Sequence, residues 1–194
     1  RFASAYDNRG VVYATRGDFD KAIADFDKAA SLDPKNTAIV QHRAFALEGK
    51  GDHKAALAQF DKAIAADPGN AALLVARGNT LQAQGETDRA IADYSEALKN
   101  DDRNAGAYAN RGTAFALKGD YSRAIADFGA GIRLAPQMIA LYANRGLAYL
   151  KLKDYRAALP DLEKAANADP KDVFSLYNRG LAKRETGDKD RKST

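Results

Sequence analysis

The chain of 194 residues contains no cysteine and no tryptophan, a single methionine and two histidines. Without cysteine, disulfides and thiolate metal sites are excluded, although the compartment stays open. No apolar run approaches the ~18 residues of a membrane span, so we expect no membrane-spanning helix. We expect a soluble protein, and the sequence, which begins with Arg1, is compatible with a cytoplasmic location. It is equally compatible with a periplasmic or secreted location after removal of a signal peptide.

With two histidines and no cysteine, the chain also lacks the residues that most catalytic sites require. Neither His42 nor His53 stands near a serine and an acid in a recognisable motif. The sequence shows no glycine-rich phosphate loop and no cluster with metal-ligand spacing. We therefore predict that the chain is not an enzyme and has neither a cofactor nor a metal. The net charge of +4 is small, since basic and acidic residues recur in matched columns, and we expect no nucleic-acid partner.

The informative feature is a period of 34 residues. Proline recurs at Pro34, Pro68, Pro136 and Pro170, and Asp102 fills the one empty position. Other columns keep the same step: Gly10, Gly78, Gly112, Gly146 and Gly180; Ala22, Ala56, Ala90, Ala124 and Ala158; Phe26, Phe60, Tyr94, Phe128 and Leu162. A fixed period of this length indicates stacked copies of one supersecondary unit. We place the repeats at about 3–36, 37–70, 71–104, 105–138 and 139–172. A partial sixth repeat follows at 173–187 and a polar tail at 188–194, all within one domain, 1–194.

Each repeat is predicted to be a pair of helices. In the fourth repeat, Tyr108, Gly112 and Phe115 lie on one helical face, and Gly119 then ends the helix. Asp120 caps the second helix of the pair, which Pro136 stops. The column of Asn36, Asn70, Asn104 and Asp172 offers caps for the first helices, whereas Met138 cannot cap. We expect the fifth repeat to have the least sharply defined start.

The columns resemble the tetratricopeptide repeat over nearly the whole chain, through Gly10, Tyr13, Ala22, Phe26 and Pro34. This resemblance implies an all-α fold, a right-handed α-solenoid of antiparallel helix pairs. The prediction is five tetratricopeptide units followed by a C-terminal capping helix. It further implies a concave groove lined by the first helix of each pair, and binding of a peptide or protein rather than catalysis. The sequence departs from the general pattern by having arginine where an aliphatic residue is common.

That arginine column runs through Arg9, Arg43, Arg77, Arg111, Arg145 and Arg179. It lies on the packing side of the first helices, and a buried arginine needs a partner. The acidic column of Asp25, Asp93, Asp127 and Asp161, interrupted by Gln59, has the same period. We predict structural Arg–Asp pairs between helices. The alternative is an anionic ligand site, which would require arginines that face the groove without carboxylate partners.

An asparagine column supplies the candidate binding residues. Asn8, Asn110, Asn144 and Asn178 each precede an arginine, and His42 and Ala76 interrupt this series. An asparagine amide both donates and accepts, so it can bind the backbone of a peptide without selecting its side chains. The alternative is a solvated polar strip. With neighbouring groove positions, the candidate set is Asn8, Gln41, His42, Asn79, Asn110, Asn144, Tyr177 and Asn178.

The neighbouring column argues against one known type of ligand. Asp7, Gln41, Val75, Ala109, Ala143 and Tyr177 occupy positions where the clamp for acidic C-terminal tails carries lysine, so we do not expect that ligand. We predict instead an adaptor of bacterial type that binds an extended peptide or a partner helix. The alternatives are a scaffold that self-associates through its apolar N-terminal end, around Phe2 and Tyr6, and a docking domain of a larger enzyme. At the other end, Lys183 and Arg184 give the last helix the polar character of a cap.

Overall fold

The computed structural model describes residues 2–187, and all regular secondary structure in this part is α-helical. The eleven helices of the described part are α1 (Phe2–Thr15), α2 (Phe19–Leu32), α3 (Thr37–Lys50), α4 (His53–Ala66), α5 (Ala71–Ala83), α6 (Thr87–Asn100), α7 (Ala105–Leu117), α8 (Tyr121–Leu134), α9 (Ile139–Lys151), α10 (Tyr155–Ala168) and α11 (Val173–Thr186). We call the odd-numbered helices A helices and the even-numbered ones B helices. The predicted polar tail 188–194 lies outside the described residues.

The chain divides into two compact units, Arg1–Asp101 and Asp102–Thr194. In the first unit each helix from α1 to α6 packs against the next along the chain, and α1 also contacts α3. In the second unit α7 to α11 pack in the same way, with further contacts of α9 to α7 and to α11. Each unit is therefore an array of antiparallel helix pairs whose A helices are neighbours. The division falls at Asp102, and a single domain over 1–194 stays a prediction.

The turns between paired helices follow from the residues at their centre. Gly119 has φ of +80°, a left-handed conformation that costs glycine little. The next residue, Asp120, accepts a hydrogen bond at 3.0 Å from the backbone N–H of Arg123 and so caps α8. In the following pair Lys153 adopts the same conformation, with φ of +60°, although it is not glycine.

The predicted caps of the A helices are present where the side chain allows them. Asn70 accepts from the N–H of Leu73, and Asn104 accepts from that of Ala107. Asn36 and Asp172 cap α3 and α11 in the same way. Met138, at the start of α9, makes no such bond, which confirms that this helix lacks a side-chain cap.

The core of each unit is built from three of the repeated columns. The five alanines of the column that begins at Ala22 are all fully buried, and the rings of the Phe26 column are at most 1% exposed. Four of these side chains fit a notch left by a glycine on the paired A helix: Phe26, Tyr94, Phe128 and Leu162. On α3, the position paired with Phe60 is Ala44 instead of glycine. At Gly112, for example, an added Cβ would lie only 2.8 Å from the ring of Phe128. A larger residue would therefore force the two helices apart.

Candidate functional site

The arginine column holds A and B helices together within each unit. In the first unit Arg9 donates from Nε and Nη2 to both oxygens of Asp25, at 2.7 and 2.8 Å. In the second unit Arg145 binds Asp161 in the same bidentate way, at 2.7 and 2.9 Å. The aspartates of this column are 5–7% exposed. The hydrogen bond from Arg9 is the main cause that holds the pKa of Asp25 below its ordinary value of 3.8. The predicted Arg–Asp pairs are confirmed for these helices.

A second acidic column, which the sequence reasoning missed, extends these pairs. Arg43, whose own B helix offers Gln59, donates instead to Asp27 on the preceding B helix at 2.6 Å. Arg77 binds both its own Asp93 and the preceding Asp61, the latter at 2.7 Å. This second column could have been found in the sequence, because Asp27 and Asp61 are one repeat apart. These arginines are committed to structural pairs, so they do not form a free anion site.

Two cavities on the A helices of the described part of the chain occupy equivalent positions in the two units. The first pocket, of about 300 Å³, is lined by Val11, Ala14, Thr15, Phe19, Phe26, His42, Phe45 and Ala46. The second pocket, of about 220 Å³, is lined by Thr113, Ala116, Leu117, Tyr121, Phe128, Asn144, Leu147, Ala148 and Lys151. Every residue of the first pocket has a counterpart in the second, three repeats further along. The same packing therefore creates both pockets.

Each pocket combines an apolar wall with one polar side chain from the predicted asparagine column. In the first pocket His42 holds this position, with Nδ1 2.8 Å from Oδ1 of Asp7 and its ring 5.8 Å from that of Phe26. In the second pocket Asn144 holds the position, and the exposed Lys151 adds a positive charge. Such a site suits an apolar side chain whose adjoining backbone offers hydrogen-bonding groups.

Between α3 and α5 the equivalent positions carry polar side chains. Glu48 stands where the first pocket has Ala14, and its Oε2 accepts a hydrogen bond from Thr80 at 3.0 Å. The same oxygen is 3.0 Å from Nδ1 of His53, which replaces the ring of Phe19 at the equivalent position. A hydrogen-bonded polar cluster therefore stands at the positions that are apolar in the two pockets.

The remaining candidates of the sequence analysis lie in different environments. Asn8 is exposed on α1, and Gln41 and Asn110 are half-buried. Asn79 is exposed, and its Oδ1 accepts a hydrogen bond from the hydroxyl of Tyr94 at 2.8 Å. On α11, Tyr177 is 68% exposed.

Asn178 departs from the expectation for its column. It is only 6% exposed, and its Nδ2 has no hydrogen-bond partner in the described part of the chain. The amide is therefore buried in this structure, and a contact of Asn178 with a ligand stays a prediction. Of the predicted residues, only His42 and Asn144 line the two pockets.

The structure adds residues that the sequence reasoning did not single out. Phe45 lines the first pocket and Leu147 lines the second. Both occupy the same position in the repeat as Asn79, which the sequence analysis did propose. Phe19 and Tyr121, the first residues of their B helices, close one side of each pocket. Their shared position in the repeat was visible, but the spacing alone does not show that the neighbouring volume is empty.

Within residues 2–187, no group of three His, Asp or Glu side chains is placed to hold a metal ion. None of the described helices has the length and hydropathy that would let it cross a bilayer.

Comparison with known proteins identifies the family. Family models described as tetratricopeptide repeat match residues 3–36, 39–70, 75–139 and 139–172. No curated protein sequence matches the chain significantly.

Solved structures resemble the chain over most of its length. MamA is 25% identical, with a TM-score of 0.78, and the match covers 88% of this chain and 93% of MamA. PilF of Pseudomonas aeruginosa is 22% identical, with a TM-score of 0.84 and coverage of 96% and 85%. YrrB, whose structure is described as that of a tetratricopeptide repeat protein with an unusual peptide-binding site, is 23% identical with a TM-score of 0.76, and 91% of each chain is covered. This all-α repeat chain therefore belongs to the tetratricopeptide repeat family.

Proposed function

We propose that this chain is a protein-interaction scaffold whose A helices bind an extended peptide. The tetratricopeptide repeat generally serves non-catalytic protein interactions, and YrrB is described as having a peptide-binding site. The observation that carries the proposal is the recurrence of one pocket, with the same lining positions, in each of the two units. Apolar cavities with one placed polar group are typical of ligand sites.

In this proposal each pocket takes one apolar side chain of the ligand. Phe26 and Phe128 form the floors, and burial of a leucine- or phenylalanine-sized side chain there contributes about 1.5–3 kcal/mol. His42 and Asn144 then hydrogen-bond the ligand backbone beside that side chain, which fixes its direction without selecting further residues. The other members of the asparagine column either continue this role or remain solvated.

Filling the pockets tests the proposal. Val11→Phe and Thr113→Phe place a ring in equivalent walls of the first and second pockets. The probes are labelled nine-residue peptides with leucine or phenylalanine in a serine-glycine background, screened by fluorescence anisotropy. We expect wild type to bind a subset and the double variant to bind at least tenfold more weakly.

The matched control is Ala24→Phe with Ala126→Phe, which adds the same rings at equivalent exposed positions on α2 and α8. This control should bind as wild type does. If the pocket variants and the control bind equally well, the ligand does not use the pockets and the proposal is wrong. Loss of binding in both pairs would indicate a general effect of added rings and would also contradict the proposed site.

A specific observation favours self-association as a second candidate function. Phe2 is 77% exposed beside a cavity of about 280 Å³ that it lines with Ala5, Tyr6 and Arg9. The side chain of Arg9 is 57% exposed, whereas Arg43, Arg77, Arg111 and Arg145 of the same column are 21–24% exposed. Light scattering over a concentration series tests this candidate, because a chain that stays monomeric at high concentration does not self-associate through this face.

A further inference from the structure

Helix α11 presents the residues that bind a B helix, but in the described part of the chain no B helix covers them. Arg179 and Gly180 continue the arginine and glycine columns. In the complete helix pairs, the arginine binds an aspartate of the B helix. The glycine contacts the ring or leucine that directly follows this aspartate. The pairs are Asp25–Phe26, Asp93–Tyr94, Asp127–Phe128 and Asp161–Leu162. We call the surface formed by Arg179 and Gly180 the α11 socket.

The glycine notch of the α11 socket is empty. An added Cβ would lie 2.6 Å from the Phe26 ring at Gly10 and 2.8 Å from Leu162 at Gly146. At Gly180 an added Cβ would meet nothing within 4 Å, and this glycine is exposed. The notch therefore has the shape that accepts a ring elsewhere in the chain, with its space free.

The charged half of the socket is also unfilled. Each of the five preceding arginines of the column binds at least one aspartate carboxylate. Arg179 is half-buried on α11 and has no such bond to the residues that the structure describes. A half-buried guanidinium of this kind favours a carboxylate, which it can bind through two parallel hydrogen bonds.

We propose that the α11 socket binds, in trans, a helix of another protein that carries aspartate directly followed by phenylalanine, tyrosine or leucine. The aspartate binds Arg179, and the following side chain enters the notch at Gly180. Both contacts copy the geometry of the complete pairs, so charge and shape specify the same dipeptide. The surface is distinct from the two pockets, and the inference does not depend on the proposed peptide binding.

The sequence of the chain favours a partner in trans. Every B helix buries an alanine three residues before its aspartate position, and these five alanines are 0% exposed. The residue one repeat after the last of them, Ala158, is Lys192. A lysine at a fully buried apolar position is strongly unfavourable. The aspartates and rings within the chain's own B helices are already buried in their pairs, so a second copy cannot offer them without opening.

The test uses the sequence of α6 as a probe, because it contains Asp93–Tyr94. The probe is a labelled peptide of residues 86–101, held helical by a hydrocarbon staple between positions 88 and 92, which are exposed in α6. The staple removes most of the cost of forming a short isolated helix. We expect saturable binding to the whole chain by fluorescence anisotropy. Arg179→Gln should weaken it at least tenfold, and so should Asp93→Asn in the peptide.

Two further variants separate the socket from general effects. Gly180→Leu fills the notch and should abolish binding, while the melting temperature of the free chain does not fall, because the site is open. Arg184→Gln removes the same charge from the exposed side of α11 and should bind as wild type does. Combining Arg179→Gln with the Asp93→Asn peptide should cost little more than either change alone, since both remove one contact.

Several results would overturn the proposal. Failure of the stapled peptide to bind wild type would show that the socket does not accept this dipeptide. Equal binding by wild type, Arg179→Gln and Gly180→Leu would place the peptide elsewhere on the chain. If wild type instead dimerises in sedimentation and Arg179→Gln makes it monomeric, the occupant is a second copy rather than a partner helix.

Discussion

The Arg145–Asp161 pair allows a quantitative test of what the arginine column does. Asp161 is 5% exposed and accepts two hydrogen bonds from Arg145, whose side chain is 23% exposed. Arg145→Leu leaves this carboxylate buried without a partner, which costs about 3–5 kcal/mol. Because water still reaches the arginine, we expect the lower end, about 3 kcal/mol.

The double variant distinguishes two cases: a pair whose loss is costly only because one buried charge is left without a partner, and a pair that itself strongly stabilises the fold. Arg145→Leu with Asp161→Leu replaces both charges by apolar groups, and we expect it to be within about 1 kcal/mol of wild type. A buried ion pair must offset the cost of removing two charges from water, so its net contribution is small. The aliphatic residue that is common at the arginine position in the family fits this expectation.

Hydrogen exchange of α9 and α10 amides is the appropriate assay, because repeat arrays can unfold in parts. The single variant should raise the opening of these helices about a hundredfold, and the double variant should restore most of the protection. Arg156→Leu, at an exposed position on α10, is the control for loss of positive charge. A single variant that costs under about 1 kcal/mol would refute the reasoning, since the pair would then behave as an exposed ion pair. A double variant that loses as much as both singles would refute it too.

Three further predictions concern the notch, pH and a helix cap. Gly112→Ala should destabilise the chain by about 1–3 kcal/mol in urea unfolding because its Cβ meets the Phe128 ring, whereas Gly180→Ala should stabilise it by about 0.5–1 kcal/mol. The pKa of Asp25 is lowered in the folded state, so its contribution is complete above its ordinary value of 3.8 and is lost as the pH falls further. Unfolding at a series of pH values should thus show a weaker loss of stability below about pH 4 for Asp25→Asn than for wild type. Met138→Asn should supply the missing cap of α9 and raise the free energy of unfolding by about 1 kcal/mol.

The helix-pair architecture could be predicted because each repeated column satisfies a local steric requirement. A ring such as Phe128 packs against a small residue on the paired helix, here Gly112, and a fully buried alanine such as Ala124 leaves space for close helix contact. These requirements return with every repeat, so the period reveals them without knowledge of the tertiary structure. The interruption of the proline column at Asp102 also marks the position where the chain divides into two units.

The candidate site was less predictable because it depends on volumes that several helices share. The column of Asn144 and His42 was identified from its chemistry, but the cavity beside each residue arises from small side chains such as Ala116 on the preceding A helix. Burial of Asn178 was equally hidden, since the same column is exposed at Asn8 and half-buried at Asn110. A column defines equivalent positions, and the neighbours of each position determine its environment.

The arginine and glycine columns likewise have different roles at different places in the chain. Arg145 and Gly146 are structural because a B helix supplies Asp161 and Leu162 to them. Arg179 and Gly180 have the same chemistry in the same order, but nothing within the described chain occupies them. The free energy that a complete pair gains internally is available at α11 to an external helix. A residue type that is a fold determinant inside a repeat array therefore becomes a recognition group at α11, which no helix of the described residues covers from this side.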